Sequence, residues 1–273
     1  MIKDVLVHVD ATAAGGRRLD YAFDLAERHG VRLTGIHVTP PVDVPPYYKP
    51  SAIDRVAEAL AEHNRWDAAG SEALFAHRRA TTSVQTHWQL LDGDMARRVC
   101  EEAQSADLVV LGQYEHEGSA EHRPLSLADE VVSRCGRPVV VVPDQGAGSG
   151  ERCGVLIAWD GSREAVRAVH DALPLLRAAG ATVEIVTLEE GAPPGSVSPL
   201  IDHLARHGLQ GFGSRRLEAR GSGGVALSEQ LKAGDFDLLV MGAYGRPAWI
   251  EFLFGGTTKS ALLNATTPVL ISH

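Results

Sequence analysis

Short runs of consecutive apolar residues alternate along the chain with longer stretches in which apolar residues recur every three or four positions. Runs such as VLIAW and DLLVMG are typical of strands that are buried on both faces of a sheet. The stretch SREAVRAVHDALPLLRAAG, residues 162–180, has helical spacing and ends at a glycine. Pro174 lies inside this stretch and predicts a kink or an early end of the helix. Strands that alternate with helices predict an α/β fold with parallel strands.

The same series of elements occurs twice in the chain of 273 residues. Residues 5–38 align with residues 155–188 without a gap at an offset of 150, which places Asp10 on Asp160 and Gly30 on Gly180. Further along, ADLVVLGQY and RPVVVV align with FDLLVMGAY and TPVLIS at an offset of 130. The two offsets differ by 20 residues, and this insertion lies in the middle of the first copy. Internal repetition predicts two units of the same fold.

We predict two tandem domains, residues 1–143 (the N-terminal half) and residues 152–273 (the C-terminal half), joined by the flexible sequence DQGAGSGER. Each half is predicted to be a doubly wound, five-stranded parallel sheet with strand order 3-2-1-4-5 and helices on both faces. The insertion in the N-terminal half contains TPPVDVPPYYKP, and a long helix is predicted to follow it between about residues 51 and 79.

The predicted elements of the C-terminal half follow one another regularly. In chain order they are the strand VLIAW, the helix over residues 162–180, the strand VEIVTL, the helix SPLIDHLARHG, the strand SRRLEA, the helix VALSEQLKAG, the strand DLLVMG, a helix over TTKSALLNA and the strand PVLIS. The last strand of each half, VVVV or VLIS, is expected at a sheet edge. Pairing of these two edges inside one chain would give an intramolecular pseudo-dimer, and further association of two chains into a homodimer stays open.

The charge balance limits the partners of the protein. The formal net charge is -9 at pH 7, which argues against binding to nucleic acid or to an anionic membrane, because both need clustered Lys and Arg. No run of about 18 apolar residues is present, and MIKDVLVHVDAT is a strand pattern rather than a signal peptide. The protein is therefore expected in the cytoplasm.

The spacing of cysteine and histidine gives no metal motif. Cys100, Cys135 and Cys153 are widely spaced without a C-x-x-C pair, so they are predicted to be buried or half-buried structural thiols. His203 and His207 are four residues apart on a predicted helix, but the sequence around them lacks the third ligand or the Glu of a metal site. We interpret them as residues of a surface helix.

The segment GAYGRPAWIEFLFGGTT, residues 242–258, begins at the end of the fourth predicted strand of the C-terminal half and has the glycine spacing G-x2-G-x9-G. Its glycines and threonines are Gly242, Gly245, Gly255, Gly256, Thr257 and Thr258. Glycines let main-chain N–H groups approach a ligand, and the N-terminus of the helix predicted after the third glycine favours a phosphate chain. The threonine hydroxyls can donate to phosphate oxygens or reach a cation. Residues 246–254 are expected to form a flap over the phosphates.

The first strand of the C-terminal half ends at Trp159 and Asp160, and the fourth ends at Met241 and Gly242. In the predicted strand order these ends meet at the switch point where doubly wound sheets bind ligands. Asp160 can accept a hydrogen bond from adenine or ribose, and Leu188, at the end of the second strand, can provide an apolar wall for the base. These features predict a site for an adenine nucleotide.

Two structural interpretations stay open beside the nucleotide site. Glycine is common in strand-to-helix loops for the sake of turn geometry alone. Asp160 and Ser162 are also favoured residues for capping the N-terminus of a helix.

Over essentially its whole length, the chain resembles the universal stress protein family in its tandem two-domain form. The resemblance rests on GAYGRPAWIEFLFGGTT, on the strand ending AWDGS and on the terminal TTPVLISH. It implies the five-stranded fold and, in the nucleotide-binding branch, three glycines followed by Ser or Thr. It also implies that Asp160 contacts adenine and that Leu188 packs on the base. Gly256 stands where Ser or Thr is usual, so a hydroxyl contact would come from Thr257 or Thr258.

The matching segment of the N-terminal half, GQYEHEGSAEHRPLSLA, keeps Gly112 and loses the other two glycines of the motif. Glu115 and Leu125 replace them. A carboxylate at this place would repel phosphates, and a leucine side chain would block the approach of a ligand to the backbone. The N-terminal half is therefore predicted to be free of nucleotide, with Asp10 capping the helix that follows it.

These observations lead to one functional prediction and two alternatives. The prediction is a stress-response protein that binds ATP, ADP or AMP, with Mg²⁺ as companion of the triphosphate, and whose occupancy alters its assembly or its binding to an unknown protein partner. The first alternative is slow ATP hydrolysis, although the sequence shows no positioned base and no phosphate-binding Lys in the glycine segment, and no residue is assigned a catalytic role. The second is an interaction module that acts without nucleotide.

Overall fold

The computed structural model describes residues 1–44, 50–113, 127–145, 154–188, 195–218, 223–243 and 267–273, which contain ten strands and seven helices. In the N-terminal half these are β1 (Asp4–His8), α1 (Ala13–His29), β2 (Arg32–Thr39), α2 (Pro50–Arg79), β3 (Thr86–Asp92), α3 (Met95–Ala103), β4 (Leu108–Gly112), α4 (Leu127–Arg134) and β5 (Val139–Val142). In the C-terminal half they are β6 (Gly154–Ala158), α5 (Arg163–Ala179), β7 (Thr182–Leu188), α6 (Val197–Arg206), β8 (Gln210–Leu217), α7 (Gly223–Ala233), β9 (Leu238–Gly242) and β10 (Val269–Ser272).

All ten strands form one sheet in the order β3-β2-β1-β4-β5-β10-β9-β6-β7-β8. The order within each half is therefore 3-2-1-4-5, and the pairs inside each half are parallel, which confirms the predicted fold. The repeat extends to the register of the strands. Val5 pairs with Leu33 in the N-terminal half, and Val155 pairs with Val183 in the C-terminal half.

The two halves meet through their last strands. β5 and β10 pair antiparallel, with Val140 opposite Leu270, so the two five-stranded sheets become one continuous sheet. This arrangement is the intramolecular pairing of VVVV with VLIS that the sequence predicts. Because the backbone groups of β5 and β10 are hydrogen-bonded to each other, neither strand is a free sheet edge with which a second chain could pair.

The helices that follow the first strand of each half begin and end in the same way. Thr12 caps α1 and Ser162 caps α5, and each hydroxyl oxygen accepts a hydrogen bond from the backbone N–H three residues later, at 2.9 and 3.2 Å. Gly30 and Gly180 end the two helices with φ of 59° and 61°, a left-handed conformation that glycine adopts without steric cost. The cap residues are 150 positions apart at both ends, as the alignment predicts.

Two local predictions are corrected by the structure. The helix does not end early at Pro174, since α5 continues to Ala179. Leu173 and Leu175, on either side of the proline, are both buried. β8 begins at Gln210, earlier than the predicted strand SRRLEA, because the strand already pairs with β7 there. The helix predicted over TTKSALLNA lies outside the described residues.

The insertion in the N-terminal half is helical. α2 has 30 residues and α6, the corresponding helix of the C-terminal half, has 10, which accounts for the difference between the two offsets. This confirms the long helix predicted between about residues 51 and 79. From residue 52 to residue 70 no side chain of α2 is fully buried, and Ser71 is the first that is.

Apolar side chains cover both faces of the sheet in two layers, and each layer runs through both halves. One layer contains Leu19 of α1 and Leu173 of α5. The other contains Val99 of α3 and Leu231 of α7. Helices therefore flank the sheet on both sides. Within each half the strands are parallel, so their carboxyl ends lie together at one edge.

Candidate functional site

The carboxyl ends of β7, β6 and β9 lie side by side in the C-terminal half, because β6 is hydrogen-bonded to both of its neighbours. The predicted site residues that the structure describes all belong to these ends, and they are Trp159, Asp160, Leu188, Met241 and Gly242. The register places Ala158 opposite Met241. The Trp159 N–H donates to the Val186 carbonyl at 2.8 Å, so the chain continues alongside β7 as far as the predicted crevice.

The side chains of these residues point to different faces of the sheet. Leu188 and Met241 are buried in the apolar layer that contains α7, with 2% and 1% of their surface exposed. Trp159 belongs to the opposite layer, beside α5. The structure thus brings the backbones of the three strand ends together, but it separates the Trp159 indole from the other two apolar side chains.

Asp160 closes the turn between β6 and α5. Its side chain is buried, and its Oδ1 accepts a hydrogen bond from the Ser162 N–H at 2.9 Å. Gly161 between them has a φ of 73°, which favours glycine. Ser162 is the residue that caps the helix. The capping interpretation is therefore correct for Ser162, whereas Asp160 supports the turn and places a buried carboxylate at the switch point.

Gly242 has a packing role that does not depend on a ligand. A Cβ atom at this position would come within 2.5 Å of the Glu164 carbonyl carbon and closer still to the Ala165 nitrogen. The end of β9 therefore touches the first turn of α5, and a side chain would force the two apart. Close packing against α5 is therefore a reason for the first glycine of the motif that needs neither a ligand nor a special turn.

A charged pair lies at the start of α5, next to Gly242. The Arg163 guanidinium contacts the Glu164 carboxylate through Nη2 at 2.8 Å and through Nε at 3.0 Å, and the Arg163 side chain is 75% exposed. Burial alone would raise the pKa of Glu164, but the hydrogen bond from its own backbone N–H and the charge of Arg163 hold it below the ordinary value. A fixed carboxylate and an accessible cation are thus found at this edge.

The matching carboxylate of the N-terminal half is in a different environment. Asp10 accepts hydrogen bonds from the Thr12 N–H and hydroxyl, and its other oxygen forms an ion pair with Arg18. Burial alone would raise the pKa of Asp10, but the charge of Arg18 and the hydrogen bonds from Thr12 and Arg18 lower it to about 2. The prediction that Asp10 caps α1 is wrong, because the cap is Thr12. The Asp10 carboxylate is instead bound by Thr12 and Arg18 together.

Arg18 is the residue at this strand end that the sequence motifs do not indicate. Its side chain is 2% exposed, and its Nε also donates to the His8 carbonyl at 2.7 Å. At the offset of 150, Ala168 occupies the matching position of α5. The available signal is that an arginine interrupts the apolar face of α1 formed by Leu19, Ala22 and other buried residues.

The long helix α2 contacts the loops that leave β1 and β2. Its Asp67 accepts a hydrogen bond from the Ala11 N–H at 3.2 Å and lies 3.9 Å from Nε2 of the buried His37. Its Asn64 donates to the Pro40 carbonyl at 3.0 Å. These contacts attach α2 to the loops at the carboxyl ends of β1 and β2.

Several predicted residues lie outside the described part of the chain. They are Gly245, Gly255, Gly256, Thr257 and Thr258 of the glycine motif, the 246–254 segment, and the N-terminal replacements Glu115 and Leu125. Cys153 is also outside it. Cys100 and Cys135 are half-buried free thiols, and burial raises the pKa of both, that of Cys100 to about 11. High thiol pKa values agree with a structural role.

Two kinds of feature are absent from the described residues. No three His, Cys, Asp or Glu side chains in the described ranges surround a point that could hold a metal ion. Among the same ranges, no helix combines the length and the apolar character needed to cross a membrane.

The fold and the paired strand-end crevices define a tandem α/β protein with two related units in one sheet. The model of the universal stress protein family matches residues 1–143 and again residues 154–273, and the chain belongs to this family. A universal stress protein from Mycolicibacterium smegmatis is 26% identical over 292 residues, covering 98% of this chain and 96% of its own.

Solved structures repeat the whole arrangement. A universal stress protein from Archaeoglobus fulgidus has a TM-score of 0.67 at 17% identity, covering 98% of this chain and 95% of its own. A protein of unknown function from Pseudomonas aeruginosa PAO1 has a TM-score of 0.58 at 15% identity, covering 99% and 92%. At these identities the likeness extends to the fold.

Proposed function

We propose that this universal stress protein binds one adenine nucleotide per chain, at the carboxyl ends of β6 and β9 in the C-terminal half, and that occupancy regulates its assembly or a protein partner. The observation that carries the proposal is the arrangement of the strand ends. The buried Asp160 carboxylate follows β6, and the G-x2-G-x9-G segment starts at Gly242, at the end of the neighbouring β9. Such an edge is the switch point at which doubly wound sheets bind ligands.

The strand ends suggest a role for each residue. Asp160 would accept a hydrogen bond from the adenine amino group or from the ribose, and Leu188 would lie under the base. The phosphates would extend toward the segment that starts at Gly242 and contains Gly245 and Gly255, where backbone N–H groups favour anions. The exposed Arg163 guanidinium stands at the same edge, and those of its N–H groups that do not face Glu164 can donate to a phosphate oxygen. Mg²⁺ would enter with a triphosphate, because its preferred ligands are oxygens and water.

The proposal is tested by calorimetric titration of ATP with Mg²⁺ into the wild-type protein and into two variants. Gly245→Glu copies the N-terminal sequence into the C-terminal motif and should abolish binding, since a carboxylate repels the phosphates. Glu115→Gln is the matched control in the N-terminal half and should leave one site per chain. ADP and AMP titrations identify the preferred nucleotide.

Each outcome decides between the proposal and an interaction module. One site in the wild type, lost in Gly245→Glu and kept in Glu115→Gln, supports a nucleotide site in the C-terminal half. Absence of binding in the wild type overturns the proposal and favours the module that acts without nucleotide. Gel filtration with and without ATP then measures whether two chains associate and whether the nucleotide changes that association.

A further inference from the structure

The described sheet has two outer strands, β3 of the N-terminal half and β8 of the C-terminal half. An outer strand presents backbone N–H and C=O groups along its free side, and these groups can pair with a strand of another chain. Charged side chains, proline and bulges are the usual means by which a protein prevents such pairing. The two outer strands of this sheet differ in these features.

β8 has the features of a protected edge. Arg215 and Arg216 are both exposed, and Nε of Arg215 lies 3.2 Å from Oε1 of Glu184 on the neighbouring β7. Gly211 has a φ of 72°, and the register between β7 and β8 shifts near the start of the strand. The charges and the irregular start both oppose the approach of a further strand.

β3 has the composition of an edge that is open to pairing. Its sequence THWQLLD contains no Lys, Arg or Pro, and it pairs with β2 in a regular register from Thr86 to Asp92. Leu90 is 55% exposed, although it lies on the same face of the strand as Trp88, whose ring packs 5.1 Å from that of Phe75. An apolar side chain is thus left open to solvent on an outer strand without basic residues.

The hydrogen bonds to β2 show which backbone groups of β3 point outward. The Leu33 N–H donates to the Gln85 carbonyl at 2.9 Å, so Gln85 and every second residue after it face β2. No hydrogen bond from the described part of the chain reaches the groups on the other side of β3. The residues whose N–H and C=O groups point to that side are Thr86, Trp88, Leu90 and Asp92.

Two copies of β3 fit each other in antiparallel orientation. A two-fold axis through Gln89 pairs all seven residues of the strand, with Trp88 of one copy opposite Leu90 of the other. The outward backbone groups of these two residues then exchange hydrogen bonds, and the exposed leucine packs beside an indole. Thr86 falls opposite Asp92, so the carboxylate of each strand meets a hydroxyl group rather than another charge.

We propose that two copies of this chain associate through β3, antiparallel about a two-fold axis at Gln89, so that their two sheets become one. The same mode of pairing already joins the two halves inside the chain, where β5 and β10 are antiparallel. A two-fold contact uses the same strand of both copies and closes as a dimer, whereas β3 against β8 would continue into a filament. The dimer needs no nucleotide and does not depend on the function proposed above.

Disulfide trapping without nucleotide tests the register on the full chain. Gln89→Cys places two thiols at a non-hydrogen-bonded pair on the axis, where the Cα atoms are about 4.5 Å apart, within the range of a disulfide. Oxidation by air should therefore link two chains on a non-reducing gel. His87→Cys is the matched control, because its two copies would lie about 14 Å apart and should stay unlinked.

The wild type, with its own three cysteines, measures the background of this experiment. Linking of Gln89→Cys well above that background, without linking of His87→Cys, supports the proposed pairing. Equal linking of the two variants, or linking of neither, overturns it.

Sedimentation velocity of the reduced protein tests the association without a cross-link. The wild type should form a dimer whose fraction rises with concentration. Leu90→Lys should weaken this dimer at least about tenfold, because a charge replaces the leucine that packs beside Trp88. Val166→Lys makes the same kind of change at an exposed apolar residue of α5 and should dimerise as the wild type does. A wild type that stays monomeric, a dimer unaffected by Leu90→Lys, or growth into filaments would contradict the proposal.

Discussion

Asp10 and Asp160 occupy the same place in the two halves, directly after β1 and β6, yet their surroundings differ. Asp10 is held by Thr12 and by the buried guanidinium of Arg18, and α2 reaches over the loop beside it. Asp160 supports its turn through the Ser162 N–H, and α6 is too short to provide the extra turns of α2. The backbone of the crevice is thus repeated, while its charge arrangement is not.

This difference shows that a repeated fold can keep its backbone while its side-chain contacts change. In the N-terminal half an arginine on the first helix pairs with the carboxylate after the first strand, and the insertion in the second helix is hydrogen-bonded to the loops after β1 and β2. At the matching places the C-terminal half has Ala168 and the shorter α6. The first glycine is present in both halves as Gly112 and Gly242, and the packing of Gly242 against α5 gives that glycine a role that needs no ligand.

The largest expected effect comes from neutralising each carboxylate in turn. Asp10→Asn should lower the free energy of unfolding by about 2–3 kcal/mol, because it leaves the Arg18 guanidinium buried without its anion. Asp160→Asn is the matched variant in the C-terminal half, in which the amide oxygen can still accept from the Ser162 N–H, and the difference between the two losses measures the contribution of the Arg18 ion pair. Urea denaturation at pH 7 measures both. Similar losses in the two variants would remove the electrostatic distinction between the halves.

The pH dependence of stability tests the same ion pair without a new variant. The pKa of Asp10 is lowered from 3.8 to about 2, so its pairing stabilises the folded state fully above the unfolded value and is lost as the pH falls through about 2. The wild type should therefore be more stable than Asp10→Asn by about 2 kcal/mol at pH 5, and this margin should shrink between about pH 4 and pH 2. A constant margin over this range would contradict the assignment.

Gly242 distinguishes packing from ligand binding in the retained part of the motif. Gly242→Ala should destabilise the protein by about 2 kcal/mol even without nucleotide, because the new methyl group overlaps the backbone of Glu164 and Ala165. Gly213→Ala is the matched control, since its Cβ would meet the Glu184 side chain at an ordinary 3.6 Å and should change stability by less than about 0.5 kcal/mol. Thermal unfolding of the two apo variants checks this, and equal stability would assign Gly242 to the ligand alone.

The sequence predicts the parts of this structure that depend on local pattern. The buried strands, the repeated register and the glycine caps follow from apolar spacing and from the gapless alignment of the two copies. Strand order and the pairing of VVVV with VLIS follow from winding rules and exposed edges. The Asp10–Arg18 pair could not be predicted in the same way, because it requires knowing which face of α1 turns toward the strand end.

Long-range contacts were equally inaccessible from the pattern. Asp67 meets the Ala11 N–H across 56 positions of sequence, and His170 meets His203 across two helices. The insertion itself is visible in the sequence as a difference of offsets. Its position against the strand ends, however, depends on side chains such as Asn64, which belong to no sequence motif.

The smallest expected effect is the most direct test of the comparison, because it moves the arginine from one half to the other. Ala168→Arg should weaken ATP binding at least about tenfold, since a guanidinium at this position can pair with Asp160 as Arg18 pairs with Asp10. Ala168→Met adds a side chain of similar length without the charge. Both variants crowd a buried position and should lose about 1–3 kcal/mol of stability, so urea denaturation shows whether they are matched. Loss of ATP affinity in Ala168→Arg alone identifies charge as the cause, whereas equal loss in both variants identifies crowding and would contradict a role of Arg18 in excluding nucleotide from the N-terminal half.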